Sequence, residues 1–445
     1  MNMKKRSWIL IITSVLFLAF LCVGTLVTPE VGFSENENRY LQAAPKLTVD
    51  HVLNGRFETQ AEDYLNDQII GRSLWVRAMA MTEAALGVGD INGVYLAADG
   101  RVVKRVTEAD FDWERYQKNL REAAALAAHC EENGSKLYAM LVPTAAYVYQ
   151  QDLPSHAMRF DEDRAFADAA DALGERLIDL RAAMQAAVTD GSAARESADG
   201  GVFFRTDHHW SGYGAYLGYA GFLQARAGGS LSDDTSRRAA DGKAAQTAGS
   251  ESAGRKSQNV NGSFAAKAAP SYAQLAPTVL SDDFYGTLYS KVLLPTLTKD
   301  SVETPGAALT AKYQVRLNGE TYDSLYFNEY LDKKDKYAVY FGGNYDKVDI
   351  EIGAATGQAA QTASSGSETA NRADGKGSLL ILKDSFANAF VPYLLDDYSK
   401  ITMIDSRYYR GSVTELAEDY DEVLVLYGID NFAGEKLQLS KSLIK

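Results

Sequence analysis

Residues 378–386 read Ser378-Leu379-Leu380-Ile381-Leu382-Lys383-Asp384-Ser385-Phe386, an apolar run that ends in polar residues. The apolar part has the length and composition of a strand buried on both faces of a sheet, and a helical pattern begins at Phe386. Ser385 then lies at the carboxyl end of the strand, where open α/β sheets bind their ligands, and at a helix N-terminus, which stabilises negative charge. A nucleophilic serine fits this position. Because serine is also a common helix N-cap, both interpretations stay open.

Strands and helices alternate on both sides of this stretch. Strand-like runs at 137–142, 401–404 and 422–426 are separated by helical patterns such as 110–132 and 386–395. Parallel strands need crossover connections that are usually helical, so this alternation predicts an α/β fold with a parallel sheet.

Three segments interrupt the alternation. Residues 279–352 predict a β-rich insertion, because they contain several short strand-like runs. These runs are 286–294, 314–317 and 337–341. Residues 228–259 and 353–377 are rich in small and polar residues and cannot bury enough apolar surface to offset the entropy of ordering. We expect both of these segments to be disordered surface inserts.

A second polar block reads Thr206-Asp207-His208-His209-Trp210. In an extended segment, residues two apart project to the same side, so Asp207 can orient the ring of His209 while His208 points the other way. An imidazole oriented by a carboxylate is a suitable general base for a nucleophilic serine. Two alternatives stay open. One is a pair of core or surface histidines, and the other is a metal site that uses Asp207, His208 or His209 without the usual HxH or HxxxH spacing.

The N-terminus predicts a membrane helix. Residues 8–27 contain no charged side chain and follow Lys4, Lys5 and Arg6. Twenty helical residues span roughly 30 Å, the thickness of the bilayer core, and the basic cluster places the N-terminus in the cytoplasm. We expect a cytoplasmic tail at 1–7, a single-pass anchor at 8–27 and the bulk of the chain on the extracytoplasmic side of the cell membrane. A cleaved signal peptide and a lipoprotein anchored at Cys22 are the alternatives.

Charge and cysteine content exclude several classes of function. The net charge of -14 and the pI of about 5.0 are opposite to the basic surface of a nucleic-acid-binding protein. Of the two cysteines, Cys22 lies in the anchor and Cys130 is alone outside it. The exported part therefore forms no intrachain disulfide and no cysteine-based zinc site. We expect neither a cofactor nor a metal.

The block Phe203-Phe204-Arg205-Thr206-Asp207-His208-His209-Trp210-Ser211 resembles the signature of the DHHW family of exported bacterial proteins. It is also similar to the Asp-x-His-Trp block of the SGNH-like domains in alginate O-acetylation proteins. The polar stretch 35–39 and Asn66-Asp67-Gln68 resemble the family too, and the main resemblance runs from about residue 93 to the C-terminus. It implies an SGNH-hydrolase-like, flavodoxin-like fold in permuted order, because ordinary SGNH hydrolases carry the serine before the histidine block.

The resemblance also implies roles for individual residues. Asp207, His209 and Ser385 would be the acid, the base and the nucleophile of a catalytic triad. Lys383 departs from the pattern, since it stands where a Gly-Asp-Ser block has glycine. The candidates for oxyanion stabilisation or substrate binding are the backbone N–H of Ser385 and the residues Asn388, Trp210, Thr144 and Gly428.

Together these patterns predict a juxtamembrane helical region at 28–90 and an SGNH-like domain at 91–445. The expected activity is that of a serine acyltransferase or esterase acting on O-acetyl groups of a cell-envelope or secreted polysaccharide. Expected partners are polysaccharide or acetylated carbohydrate, the cytoplasmic membrane and other exopolysaccharide-modification proteins, but no nucleic acid. The alternatives are a catalytically silent polysaccharide-binding or assembly scaffold of the same fold, and a metal-dependent hydrolase that uses the histidine pair.

Overall fold

The computed structural model describes residues 3–34, 39–228, 269–306, 309, 311–353 and 376–434. The inserts predicted at 228–259 and 353–377 lie almost wholly outside the described residues, as do residues 35–38 of the polar stretch.

The described chain begins with an apolar helix, α1 (Met3–Val27). Its segment Ser7–Val27 has a mean hydropathy of 2.7 and is long and apolar enough to cross a membrane, as an anchor or as a signal sequence would be. A short hairpin and three helices follow. They are β1 (Phe33–Ser34), β2 (Arg39–Tyr40), α2 (Val49–Leu53), α3 (Arg56–Gln68) and α4 (Arg72–Ala85). Gly55 and Gly71 precede α3 and α4 with φ angles of 73° and 71°, a left-handed conformation that lets the chain turn sharply between helices.

Residues 90–226 form a small antiparallel sheet and then alternate between strands and helices. The sheet consists of β3 (Asp90–Ile91), β4 (Val94–Leu96) and β5 (Val102–Lys104). After it come α5 (Trp113–Glu132), β6 (Lys136–Val142), α6 (Ala145–Val148), α7 (Glu162–Leu173), β7 (Leu177–Asp179), α8 (Arg181–Thr189), α9 (Ser192–Glu196) and α10 (Gly212–Arg226).

The remaining described residues are richer in strands. Their elements are β8 (Thr278–Phe284), α11 (Tyr289–Val292), β9 (Asp300–Thr304), β10 (Tyr313–Leu317), β11 (Glu320–Tyr322), β12 (Lys347–Ile352), β13 (Gly377–Lys383), α12 (Phe386–Phe390), β14 (Tyr398–Ile404), α13 (Val413–Ala417), β15 (Glu422–Gly428) and α14 (Ile429–Phe432). Short 3₁₀ turns complete them at Gly174–Arg176, Ala273–Leu275, Asn328–Tyr330, Lys336–Val339 and Val391–Leu394.

An eight-stranded sheet forms the centre of the molecule, in the order β11-β10-β12-β14-β13-β15-β6-β7. The five strands from β14 to β7 are parallel, whereas β12, β10 and β11 extend the sheet with antiparallel pairs. The predicted α/β fold with its parallel sheet and N-terminal apolar helix is therefore confirmed. Residues 279–352 are β-rich as predicted, but three of their strands join the central sheet, while β8 and β9 pair with each other.

Two of the strand predictions in 279–352 are wrong. Residues 286–294 contain the helix α11, and 337–341 overlap the 3₁₀ turn Lys336–Val339 and an isolated bridge at Tyr340. Both runs are apolar because they pack into the core as irregular structure, and short apolar runs alone do not distinguish strands from other buried segments. The third run, 314–317, is confirmed within β10.

The parallel strands are buried on both faces, which explains their continuous apolar sequences. Along β13, Leu379 and Ile381 contact the cluster beneath α10 and α12, whereas Leu380 and Leu382 contact the cluster beneath α5 and α7. Each buried aliphatic side chain of this kind contributes about 1.5–3 kcal/mol to folding. The register pairs Lys383 of β13 with Leu426 of β15, and Gly428 of β15 with Val142 of β6. The carboxyl ends of the three strands therefore meet at one edge of the sheet.

Candidate active site

Ser385 follows β13 directly and stands at the N-cap position of α12. Its side chain makes no capping hydrogen bond. Instead, Oγ lies 2.6 Å from Nε2 of His209. The backbone N–H of Ser385 donates to no acceptor among the described residues. Ser385 thus presents a hydroxyl paired with an imidazole and a free N–H beside it, which is the local arrangement that a nucleophilic serine requires.

Asp384 holds the turn that carries Ser385. Its carboxylate accepts hydrogen bonds from the backbone N–H groups of Phe386 (2.9 Å) and Gly428 (2.8 Å) and from Nδ2 of Asn431 (2.8 Å). Asp384 is buried, and burial raises the pKa of its carboxyl group above the ordinary value. Because these bonds link β13, α12 and the end of β15, Asp384 fixes the position of the turn without contacting the hydroxyl of Ser385.

Asp207 and His209 occupy a tight loop between Phe203 and Trp210, which form an antiparallel bridge. Oδ1 of Asp207 lies 2.6 Å from Nδ1 of His209 and also accepts the backbone N–H of His209 at 3.0 Å. Oδ2 of Asp207 accepts hydrogen bonds from the backbone N–H (2.8 Å) and the hydroxyl (3.0 Å) of Thr287. The three side chains Asp207, His209 and Ser385 therefore form one continuous hydrogen-bonded chain.

The charge of Asp207 is strongly stabilised. Burial alone would raise the pKa of its carboxyl group, but His208, His209 and the hydrogen bond from Thr287 together hold that pKa well below its usual range. Asp207 is thus ionised at neutral pH. An ionised carboxylate at Nδ1 keeps a proton on that nitrogen, so Nε2 is left as the acceptor that faces Ser385.

A second acid, Asp300 of β9, supports the loop from behind. Its carboxylate accepts the backbone N–H groups of Arg205 (2.6 Å) and Thr206 (2.8 Å), and it also binds the hydroxyl of Thr206. Burial raises the pKa of Asp300 to about 6. In turn, the hydroxyl of Thr206 accepts the N–H of Gly286, a residue whose added Cβ would lie 2.2 Å from Cβ of Asp207. Glycine is therefore required where the 286–287 backbone approaches Asp207.

Aromatic rings enclose the imidazole of His209. The ring of Tyr337 stacks on it with a centroid distance of 3.9 Å and an interplanar angle of 7°, and Phe386 approaches at 5.2 Å. The hydroxyl of Tyr337 donates to the carbonyl oxygen of Ser385 at 2.9 Å. Sequence reasoning missed Tyr337 and Thr287, because both lie in stretches of 279–352 outside its strands and no spacing relates them to the two polar blocks.

The orientation of the His208 ring differs from the prediction. Its ring does not turn away from His209, since the two ring centroids are 3.9 Å apart. Nδ1 of His208 lies 3.0 Å from the hydroxyl of Thr287 and 3.4 Å from Oδ1 of Asp207. Desolvation and the neighbouring His209 lower the pKa of His208 to about 4, so this ring is neutral at pH 7. Thr287 contacts both His208 and Asp207, and Asp207 binds His209, so both rings lie close to one carboxylate.

The same three residues are also a candidate metal-ligand group. Asp207, His208 and His209 each have a ligand atom within 4.8 Å of the others. In this arrangement Asp207 already accepts the proton on Nδ1 of His209, so a metal held between these atoms would replace that hydrogen bond. A chelator would therefore inactivate a metal-dependent hydrolase but not an enzyme that uses Ser385.

The other predicted site residues lie nearby but are already engaged. The N–H of Gly428 donates to Asp384, and both the N–H and the hydroxyl of Thr144 bind the carboxylate of Glu162. Asn388 is buried and accepts from Nζ of Lys383 at 2.8 Å, so it is not a helix-surface residue. Trp210 is fully buried, and its Nε1 donates to the carbonyl of Phe386 at 3.0 Å. An oxyanion role for Thr144 or Gly428 would require these bonds to break.

Two adjoining clefts open beside the site. The first and smaller cleft is lined by His208, Phe386 and Thr144 and by the ion pair of Lys104 and Asp430. The second and larger cleft shares that ion pair. Its other lining residues include Arg105, Asp110, Arg407 and Asn431. Nζ of Lys104 and Oδ2 of Asp430 are 2.6 Å apart, so the pair stands between the smaller cleft and the larger one.

Known proteins with similar sequence or structure agree with this architecture. A family model of the SGNH hydrolase-like domain of the acetyltransferase AlgX matches residues 104–270. The crystal structure of a DHHW family protein from Eubacterium siraeum is similar with a TM-score of 0.50 and 18% identity, over 80% of this chain and 97% of that one. Bacillus cereus PatB1 is similar with a TM-score of 0.53 and 19% identity, over 78% of this chain and 99% of that one.

A second structure of Bacillus cereus PatB1, which carries a sulfonyl adduct, gives a TM-score of 0.50 at 19% identity and covers 77% of this chain and 96% of that one. No curated protein matches the chain in sequence. The resemblance to a DHHW family protein and to SGNH-like acetyltransferase domains is thus confirmed. At these identities the similar structures show the fold.

Proposed function

We propose that this protein is an exported SGNH-like serine acyltransferase or esterase that acts on O-acetyl groups of a cell-envelope or secreted polysaccharide. The observation that carries the proposal is the chain of two 2.6 Å contacts that joins Asp207, His209 and Ser385. The match of residues 104–270 to the SGNH hydrolase-like domain of an acetyltransferase supports transfer of an acetyl group. The resemblance of the block 203–211 to the domains of alginate O-acetylation proteins supports a carbohydrate substrate.

The proposed reaction begins when Nε2 of His209 accepts the proton of Ser385 Oγ. The oxygen attacks the acetyl carbonyl carbon, and the carbonyl oxygen becomes an oxyanion that the Ser385 N–H can stabilise. The tetrahedral intermediate collapses as the C–O bond to the donor alcohol breaks, and that alcohol takes the proton from His209. A sugar hydroxyl or water then attacks the acetyl-serine with His209 as base, and Ser385 leaves with the returned proton.

The hydrogen-bond length between Ser385 and His209 favours catalysis over the silent scaffold. A scaffold that had lost activity would have no need to keep an ionised carboxylate, an imidazole and a hydroxyl in line. The stack of Tyr337 on His209 restricts the imidazole further, which reduces the reorganisation needed for proton transfer.

Hydrolysis of p-nitrophenyl acetate by the full chain in detergent tests the proposal. We expect Ser385→Ala and His209→Ala to lose activity, and Ser155→Ala and His156→Ala, which change exposed residues of the same types, to keep it. Activity should not respond to a chelator. Loss of activity on chelation would favour the metal-dependent alternative instead.

A fluorophosphonate probe gives a second measurement for a transferase that hydrolyses the model ester slowly. We expect one adduct, found by peptide mass spectrometry on Ser385 and absent from the His209→Ala variant. Wild-type protein that neither hydrolyses the ester faster than the variants nor reacts with the probe would contradict the proposal and favour the scaffold.

A further inference from the structure

The exposed apolar side chains of this protein are unevenly distributed. Outside α1, fourteen large apolar residues that are exposed fall between Val31 and Val88, whereas only three do so in the rest of the described chain. Those three are Met158, Val279 and Tyr408. Soluble surfaces seldom concentrate apolar side chains in this way unless the region binds a partner or a membrane.

Helix α4 carries the clearest part of this surface. Leu74, Trp75, Met79 and Met81 are 63%, 40%, 58% and 47% exposed. At about 100° per residue these four positions lie on one half of the helix, which contains no charged residue. Ala80, on the opposite half, is buried against the core formed by Ile91, Val94 and Leu288. One face of α4 is thus fixed to the main body and the other is apolar and exposed.

The apolar face is continuous with the membrane helix. The ring of Trp75 contacts the ring of Phe17 with a centroid distance of 6.1 Å, and the N–H of Ile70 donates to the hydroxyl of Thr25 at 3.2 Å. A Cβ on Gly24 would lie 3.0 Å from the side chain of Ile70, so α1 and the start of α4 approach closely. Phe17 is ten residues before the end of α1, about 15 Å along the helix axis.

The link between the two helices is well defined. Gln68, at the end of α3, is buried; its side chain accepts the N–H of Val31 at 3.0 Å and donates to the carbonyl of Val31 at 2.9 Å. Asp67 is buried as well and accepts the N–H of Gln42 at 2.8 Å. These bonds attach the segment that leaves α1 to α3, so the position of α4 relative to α1 does not depend on Trp75 alone.

We propose that the apolar face of α4 (Leu74, Trp75, Met79 and Met81) inserts into the outer leaflet of the lipid bilayer beside α1. Its contact with Phe17 places Trp75 beside the membrane-spanning part of α1, where an apolar, uncharged helix face is stable and a charged one is not. With a net charge of -14 the protein is not attracted to anionic headgroups, so apolar insertion provides the contact. This membrane face would hold the catalytic body at a fixed height and remain a membrane contact if α1 were cleaved.

Fluorescence quenching by lipid tests the inference in the full chain. Met79→Cys and Met158→Cys, each in a Cys22→Ser, Cys130→Ala background, would be labelled with an environment-sensitive fluorophore and reconstituted in phosphatidylcholine nanodiscs. Met158 is a matched control, because it is a methionine of similar exposure, 63% against 58%, outside the membrane face. We expect brominated lipid to quench the label at 79 at least twofold, with a blue-shifted emission, and to leave the label at 158 unchanged.

Circular dichroism and thermal unfolding of both labelled proteins show that each remains folded. Equal and weak lipid quenching at positions 79 and 158 would overturn the inference. A blue shift at 79 without lipid quenching, together with disulfide cross-linking of two unlabelled Met79→Cys chains through the introduced thiol, would also overturn it, because the face would then be an interface between two copies of the chain.

Discussion

At the scale of single residues, the ionised state of Asp207 governs the site. Replacing it by asparagine keeps the size of the side chain but presents an N–H to Nδ1 of His209, which stabilises the wrong imidazole tautomer. We expect Asp207→Asn to lower kcat for ester hydrolysis by roughly 10³–10⁴-fold with little change in fold. Steady-state kinetics at pH 7 measure the effect, and a loss of less than tenfold would contradict the role of Asp207.

Tyr337 should act as a positioning residue with two separable contributions. Tyr337→Phe removes the hydrogen bond to the Ser385 carbonyl but keeps the ring on His209, whereas Tyr337→Leu removes both contacts. A single hydrogen bond is worth about 0.5–1.5 kcal/mol, so the phenylalanine variant should lose roughly 2–10-fold in kcat. The leucine variant should lose more and show an altered pH profile, because its imidazole is less restrained. Equal kinetics of the two variants would exclude a contribution from the stack.

His208 links stability to pH. Its pKa falls from the ordinary 6.5 to about 4 in the folded state, so the unfolded chain binds the proton more readily. The stabilising contribution of the neutral ring is therefore present above pH 6.5 and is lost as the pH falls from 6.5 to about 4. Urea unfolding in detergent at pH 7, 5.5 and 4.5 measures this decline. It should be smaller in His208→Gln and unchanged in His156→Gln.

At the scale of elements, the loop between β8 and α11 holds Asp207, the proposed acid of the triad. Gly286→Ala would place Cβ 2.2 Å from Cβ of Asp207, so the loop must move and the hydrogen bonds from Thr287 to Asp207 weaken. We expect the free energy of unfolding to fall by about 1–3 kcal/mol. We also expect the rate of ester hydrolysis to fall while the protein is still folded, because Asp207 is displaced. Gly32→Ala is the control, since among the described residues no atom beyond its two chain neighbours lies within 4 Å of the added Cβ. Chemical denaturation and ester hydrolysis of both variants give the comparison.

The same elements show what the sequence could and could not predict. The strands β6, β13 and β15 are buried on both faces and therefore appear as uninterrupted apolar runs beside Ser385 and its neighbours. In β12 the sequence Lys-Val-Asp-Ile-Glu-Ile alternates between polar and apolar residues, because this antiparallel strand is buried mainly on one face. That alternation predicts a strand at 347–352, which the sequence analysis missed. Thr287 and Tyr337 could not be predicted, since their positions depend on how an irregular segment folds over the loop of His209.

At the scale of the whole molecule, α1 predicts a membrane location that can be tested directly. We expect the chain to stay in the membrane pellet after alkaline carbonate washing, because an uncleaved helix of hydropathy 2.7 does not leave the bilayer. Intact mass of the purified protein should include residues 1–27. A mass lacking these residues would identify α1 as a cleaved signal peptide instead of an anchor.

The segment between Gly353 and Lys376 connects β12 to β13 at the end of the sheet opposite Ser385. Glu351 and Ser378 both pair with Lys400 of the intervening β14, so the two chain ends are separated by about 10 Å, two strand spacings. A cut within this segment would divide the protein into two fragments. The first would carry Asp207 and His209, and the second would carry Ser385. Both fragments contribute strands to the central sheet. Ester hydrolysis would therefore appear only when the two fragments assemble.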